Sequence, residues 1–298
     1  MKVNKKSSFE SDYNYEYGEV ESSYFEKINL SCCSISGLKK DSTERLFFFV
    51  PEIGMSYRSY FPYFEKILSS NICNTVITFD HFGNGISGGA RGVNISGKKY
   101  LEDCKRVFLK YAKNKPNAVI FGHGFGATLA LILESEGFFS SAQGLIIKDP
   151  FFSKFNKMKK RGALSFLMNS KKVKRYLMQE TFFGKEYFPT IVDQLDFEVD
   201  CINTRSFSQD FLETLNELTT GVIERAYLAE KPILFLHGIK EEMKNSGELI
   251  SLYQKGVGEK KVTSVELTRN GHFENFRIPD VNDLGKLESW LKSINEGV

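Results

Sequence analysis

Along most of the chain, short unbroken apolar runs alternate with longer stretches of helical spacing. Leu46-Phe47-Phe48-Phe49-Val50 is the first such run, and Pro51 ends it. Val76 to Phe79, Ala118 to Phe121, Gly144 to Ile147, Ile233 to Leu236 and Val262 to Leu267 follow it. Most are apolar at nearly every position rather than at every second one, which predicts strands buried on both faces. Between and after them, Tyr60 to Leu68, Lys98 to Tyr111 and Asp283 to Ile294 carry apolar residues at helical intervals. Strands alternating with helices predict an α/β protein with a parallel sheet covered on both sides. Partial alternation near Glu16 to Val20 and Phe25 to Ser34 adds two antiparallel lead-in strands, eight strands in all.

Residues 151 to about 229 break this rhythm. They hold no clear strand, and the stretch is far longer than an ordinary connection. The pattern predicts a helical cap inserted into a core built from residues 1–150 and 230–298. A cap at that point lies over the carboxyl edge of the strands, where open α/β sheets place their ligands.

Composition narrows the class. Apolar residues make up 41% and charged residues 26%, as expected of a soluble globular chain. The net charge of +3 gives no reason to expect nucleic acid as a partner. Residues 1–23 are polar and Tyr-rich, without the apolar centre of a signal peptide. No run approaches the ~18 apolar residues that span a bilayer. The five cysteines form no CxxC pair, which predicts buried thiols in a reducing cytoplasm and neither a disulfide framework nor a metal site. No cofactor-binding motif is present.

The chemistry gathers at Phe121-Gly122-His123-Gly124-Phe125-Gly126. A buried strand enters this stretch and a helix leaves it. The pattern Gly122-x-Gly124-x-Gly126 is that of a G-x-S-x-G nucleophile elbow with glycine at the tip. Such a turn lifts one side chain above the sheet. Small flanking residues let helix and strand approach, and backbone N–H groups at the helix start face a developing oxyanion. Glycine also relaxes a backbone that strains any residue with a Cβ. On that ground, serine at 124 would cost about 1 kcal/mol or less.

Four stretches carry a family likeness: "FDHFGNGISGG" (79–89), "VIFGHGFGATLAL" (119–131), "KPILFLHG" (231–238) and "NGHFENF" (270–276). With "GMSYRSYFPYFEKIL" (54–68), the sequence resembles the α/β-hydrolase superfamily. Within it, the likeness is to the monoglyceride-lipase and lysophospholipase-like group, also described as serine aminopeptidase S33-like. The likeness covers about residues 45 to 295, with the cap matched only loosely. It implies an α/β-hydrolase fold and an order of elbow, acid and histidine. His272 stands at the general base and Glu241 at the orienting acid. Asp149, in "IIKDP", is the alternative acid, and Glu242 lies one residue off. The backbone N–H groups of Ile53 and Phe125 correspond to the oxyanion hole. Asp80 and Ser87 correspond to residues that shape the glycine-rich loop.

The chain departs from the pattern twice. Gly124 replaces the nucleophilic serine, and Pro51-Glu52 replaces the usual His-Gly before the first helix. The resemblance implies an esterase or lipase-type protein for acyl, lysophospholipid or monoacylglycerol substrates, without covalent serine catalysis. The alternatives are a ligand-binding pseudoenzyme, a site whose vacant apex admits a water activated by His272, and an active hydrolase whose serine was changed to glycine by engineering. The expected ligand is a small apolar acyl compound or ester. Nine basic residues between Lys154 and Arg175 flank the apolar centre Ala163 to Met168, and offer an anionic membrane surface or an acyl carrier as a partner.

Overall fold

The structure is a computed structural model. It describes residues 12–24, 27–37, 44–115, 117–150, 178–179, 202–204, 206–238, 246–268, 273–277 and 279–296. Its centre is one eight-stranded sheet. In chain order the strands are β1 (Tyr13–Glu21), β2 (Asn29–Gly37), β3 (Leu46–Val50), β4 (Thr75–Phe79), β5 (Ala118–His123), β6 (Gly144–Lys148), β9 (Ile233–Gly238) and β10 (Val262–Leu267). A two-residue ladder supplies the intervening β7 (Met178–Gln179) and β8 (Phe207–Ser208). This ladder lies in a stretch the sequence reads as strand-free, because two residues are too short to show a period.

The sheet order is β1-β2-β4-β3-β5-β6-β9-β10. Strand β2 runs against both of its neighbours, and every other pairing is parallel. The parallel strands need crossovers, and helices supply them. The crossover helices are α1 (Phe61–Ser69), α2 (Gly97–Tyr111), α3 (Phe125–Ser135), α4 (Gln209–Arg225) and α5 (Ser246–Val257); α6 (Glu274–Arg277) and α7 (Val281–Glu296) follow the last strand.

Strands β3, β5 and β6 are buried at every residue, which accounts for their unbroken apolar sequences. By contrast β10 alternates between buried ends and exposed positions, as suits the edge of the sheet. Phe47, Phe49 and Phe121 meet across the sheet with centroids 5.1 to 6.2 Å apart, and Phe64 and Phe276 close over Phe49. Helix α4 docks on the helical layer through Phe211, whose ring lies 5.7 Å from that of Phe125 and 6.1 Å from that of Tyr100. The described cysteines, Cys32, Cys33, Cys73 and Cys104, are free and buried. No helix among the described residues is long and apolar enough to cross a membrane.

Candidate active site

The site is built where β5 turns into α3. Strand β5 ends at His123, helix α3 begins at Phe125, and Gly124 between them has φ 52° and ψ −113°. A side chain is strained at such a φ, so glycine suits the tip. Its N–H donates to the Lys148 carbonyl at 2.9 Å, and its carbonyl accepts from the N–H of Thr128 at 3.1 Å. The flanking glycines are sterically required. A Cβ on Gly126 would collide with the carbonyls of Val50 and Pro51, and one on Gly122 with the backbone of Ala127.

Strand β3 ends beside this turn and delivers Pro51, Glu52 and Ile53. The glutamate side chain does what no strand pattern announces. Its Oε1 accepts from the N–H of Ile53 at 2.7 Å and from the N–H of Phe125 at 3.0 Å. These are the two N–H groups that the resemblance assigns to an oxyanion hole, and they converge on one oxygen atom. The other oxygen, Oε2, lies within about a bond length of where a Cβ on Gly124 would stand, and Oε1 lies 3.1 Å from that point. Glu52 is fully buried. The apex expected to stand vacant for a water is therefore occupied by a carboxylate of the same chain. The correction has a simple cause: glycine at 124 opens room that a glutamate two residues beyond β3 is long enough to fill.

Several bonds hold this loop in place. The N–H of Glu52 donates to the Tyr60 hydroxyl oxygen at 3.1 Å. The Tyr60 hydroxyl in turn donates to Nδ1 of His123 at 2.9 Å. Burial holds the Tyr60 phenol well above its ordinary value, so it stays a neutral donor. Nε2 of His81 lies 2.9 Å from the Pro51 carbonyl and donates to it. Burial pushes that imidazole down to about 4, so it is neutral at physiological pH. Gly54 donates its N–H to Oδ1 of Asn84 at 2.9 Å.

Asp80 shapes a neighbouring loop. Oδ1 accepts from the N–H of Tyr57 at 2.6 Å. Oδ2 accepts from the N–H of Ile86 at 2.8 Å and from the Ser56 hydroxyl at 3.3 Å. Burial lifts this carboxyl to about 7, against the opposing pull of those donors. Ser87 donates to the Asp80 carbonyl at 2.7 Å and accepts from the N–H of Ser31 at 2.7 Å.

Asp149 follows β6 with a positive φ of 45° and is buried. Its carboxylate forms an ion pair with Lys148, also buried, whose Nζ lies 5.5 Å from the centre of the Phe276 ring. Glu241, Glu242 and His272 lie outside the described residues, as do the basic stretch 154–175 and its apolar centre. The segment just past position 272 does reach the elbow. The Phe273 ring meets that of His123 edge-on at 5.2 Å, and Phe276 lies over it at 4.6 Å.

Sequence reasoning names Gly124, Ile53 and Phe125, and notes Glu52 only as a departure from a pattern. It passes over Tyr60 and the buried His123. The available signal was that both departures fall in loops that the resemblance brings together.

With this geometry in view, the comparisons are specific. The chain matches the family described as serine aminopeptidase, S33, over residues 43–267, well over half its length. It belongs to that family. Solved structures with the same fold include a monoacylglycerol lipase from Paleococcus ferrophilus, 17% identical, with a TM-score of 0.70 over 89% of this chain and 99% of that one. A soluble variant of the Saccharomyces cerevisiae monoglyceride lipase, bound to a substrate analogue, is 14% identical with a TM-score of 0.72 over 94% and 96%. A thermostable carboxyl esterase from Bacillus coagulans is 16% identical with a TM-score of 0.65 over 95% and 98%. No protein of curated function matches the sequence. The chain is thus an α/β-hydrolase related to monoacylglycerol lipases and esterases.

Proposed function

We propose that this chain descends from serine esterases but has closed the serine route of acyl transfer, and that it works by holding a small apolar acyl-type compound or ester. The observation that carries the reading is the pair of hydrogen bonds from Ile53 and Phe125 to Glu52 Oε1. Acyl transfer needs a nucleophile and a preorganised donor pair for the carbonyl oxygen. Here glycine stands at the nucleophile position and the donor pair is already engaged. A substrate carbonyl would have to displace a buried carboxylate before it gained anything. The two departures from the family pattern are then one coupled change, because the carboxylate fits only while residue 124 has no Cβ.

The ligand class follows from the solved lipases and esterases that share the fold, and from the phenylalanine-rich surroundings of the turn. The cap over residues 151–229 and an acid–base pair from Glu241 or Asp149 with His272 belong to the same reading. The test is fluorophosphonate labelling and nitrophenyl ester hydrolysis by four proteins: the natural chain, Gly124→Ser, Glu52→Gly and the double variant. The natural chain should neither label nor turn over. Labelling should appear in the double variant and be far weaker in Gly124→Ser alone. Steady acyl-ester turnover by the natural chain would refute the reading.

A further inference from the structure

The elbow lies past the carboxyl ends of β3 and β5. The amino ends of β3 and β4 open onto a separate cavity of about 660 Å³, between the sheet and the last turn of α2. We propose that this cavity is a binding site for a small neutral polyhydroxylated compound, one or two sugar rings in size. Its volume falls within the range of about 300–1,000 Å³ usual for small-molecule sites.

Strand register fixes the floor of the cavity. Glu16 pairs with Ser34 and Ser34 with Ile77, while Ser36 pairs with Thr75 and Thr75 with Leu46. Paired residues point to the same side of a sheet, and alternate residues of a strand do too, so these side chains share one face. The opposite face of the same strands is apolar and covered. Cys33 and Ile35 are buried there, and the Tyr15 ring packs on Phe61 of α1 at 5.3 Å. The serines and the threonine are half-buried in the cavity wall. One side of these strands is thus built for packing and the other for polar contact.

Gly18 interrupts β1 without the positive φ that would demand glycine. Its reason is space, because a Cβ there would collide with the Tyr111 hydroxyl. A glycine inside a strand weakens it and marks a close approach. Here it seats the phenol of the last α2 residue against the sheet, in the wall of the cavity. Burial raises that phenol above its ordinary value, so it stays neutral. Among the described residues, the hydroxyls of Ser34, Ser36, Thr75 and Tyr111 and the side-chain amides of Asn74 and Asn114 make no hydrogen bond. Each hydroxyl can both donate and accept, and each amide offers the two functions side by side. Adjacent hydroxyls of a sugar ask for that combination, while Cys32, Leu46 and Ile77 give its ring C–H groups an apolar floor. Charge at the cavity is mixed, with Glu16 and Glu44 against Lys115, so an ion meets no field of a single sign.

The test uses the full chain with maltose, cellobiose, sucrose and myo-inositol as probes, followed by saturation-transfer NMR and calorimetric titration. At least one should bind with a dissociation constant of about 1 mM or tighter. Tyr111→Phe and Ser36→Ala should each weaken that binding about tenfold, as the loss of one hydrogen bond implies. Neither hydroxyl is bonded to a described residue in the free protein, so the unfolding curves of both variants should match that of the natural chain. Independently of any variant, the bound compound should slow amide hydrogen exchange in residues 32–36 and 74–77 and not in residues 122–126. Silence to all four probes overturns the proposal. Protection confined to the elbow overturns it as well, and so does binding that both variants leave unchanged. Binding of spermidine or glutamate but of none of the four makes the cavity an ion site and overturns it equally. None of these results bears on the elbow, which the labelling of residue 124 tests by itself.

Discussion

Two buried carboxylates sit one and two residues past the ends of neighbouring strands, and each gathers backbone N–H donors. Asp80 after β4 binds Tyr57, Ile86 and the Ser56 hydroxyl, and Glu52 after β3 binds Ile53 and Phe125. The chemistry is the same and the consequences differ. Asp80 ties together segments that would otherwise have no reason to meet, so it is part of the scaffold. Glu52 occupies donors that meet anyway, because the end of β3 and the start of α3 bring them together. A carboxylate can therefore build a cradle or fill one, and only the second kind can be removed without dismantling the loop.

Truncation should separate them most sharply. Asp80→Ala strands the buried Tyr57 N–H and Ser56 hydroxyl and the partly buried Ile86 N–H, and should cost about 4 kcal/mol of unfolding free energy. Glu52→Ala frees two N–H groups and vacates the volume of the carboxyl group for water to fill, and should cost about 1 kcal/mol. Urea unfolding of both variants gives the comparison directly. Equal losses would show that Glu52 is as structural as Asp80.

A double-mutant cycle sharpens the point at the elbow itself. The ease of glycine at the tip suggests a cost of about 1 kcal/mol or less for Gly124→Ser, and the structure corrects that figure. A Cβ at 124 would overlap the Glu52 carboxyl group, so the single variant must eject that buried group from its donors. We expect a loss of about 3 kcal/mol in the natural background and about 1 kcal/mol once Glu52 is glycine, a coupling of about 2 kcal/mol. Additive losses would mean that the two positions do not share the apex.

The legibility of the molecule follows the same divide. Strands buried on both faces announce themselves as unbroken apolar runs, which is why β3, β5, β6 and β9 could be read directly. The turn at Gly124 and the donor pair at Ile53 and Phe125 were readable because backbone geometry follows from register. Glu52 was not, because where a side chain points depends on what space a residue far along the chain leaves open. Its meaning required Gly124, 72 positions on, to be seen in contact with it. Helix α4 was equally hard to place, since its apolar face suits a cap or a core until Phe211 is seen against Phe125 and Tyr100.

Acidity offers a further contrast between the scaffold groups. Burial raises the Asp80 carboxyl to about 7, above its unfolded value of about 4. The folded state therefore holds more protons than the unfolded state between those values, and the Asp80 contribution to stability falls as pH rises from about 4 to 7. His81 runs the other way. Burial lowers it from 6.5 to about 4, so its contribution is lost as pH falls through that window. In Asp80→Asn the falling contribution disappears and the rising one remains. The stability gap between the natural chain and Asp80→Asn should narrow by on the order of 2 kcal/mol from pH 4 to 8. Chemical denaturation across that range measures it, and a constant gap would show that Asp80 does not titrate there.

The smallest effect tests how far the cradle built by Asp80 extends beyond its carboxylate. Ser87 joins two segments through one hydroxyl, donating to the Asp80 carbonyl and accepting from the Ser31 N–H. Neither bond touches the elbow. Ser87→Ala should cost about 1 kcal/mol, the usual net worth of such a hydrogen bond. It should leave the fluorophosphonate labelling of the Glu52→Gly, Gly124→Ser variant unchanged within twofold. The reason is geometric: the Glu52 loop hangs from Tyr60 and His81, whereas Ser87 fastens the Asp80 loop to β2. If Ser87→Ala suppressed that labelling beyond its effect on stability, the two cradles would be one mechanical unit, and the division between building a site and filling it would fail.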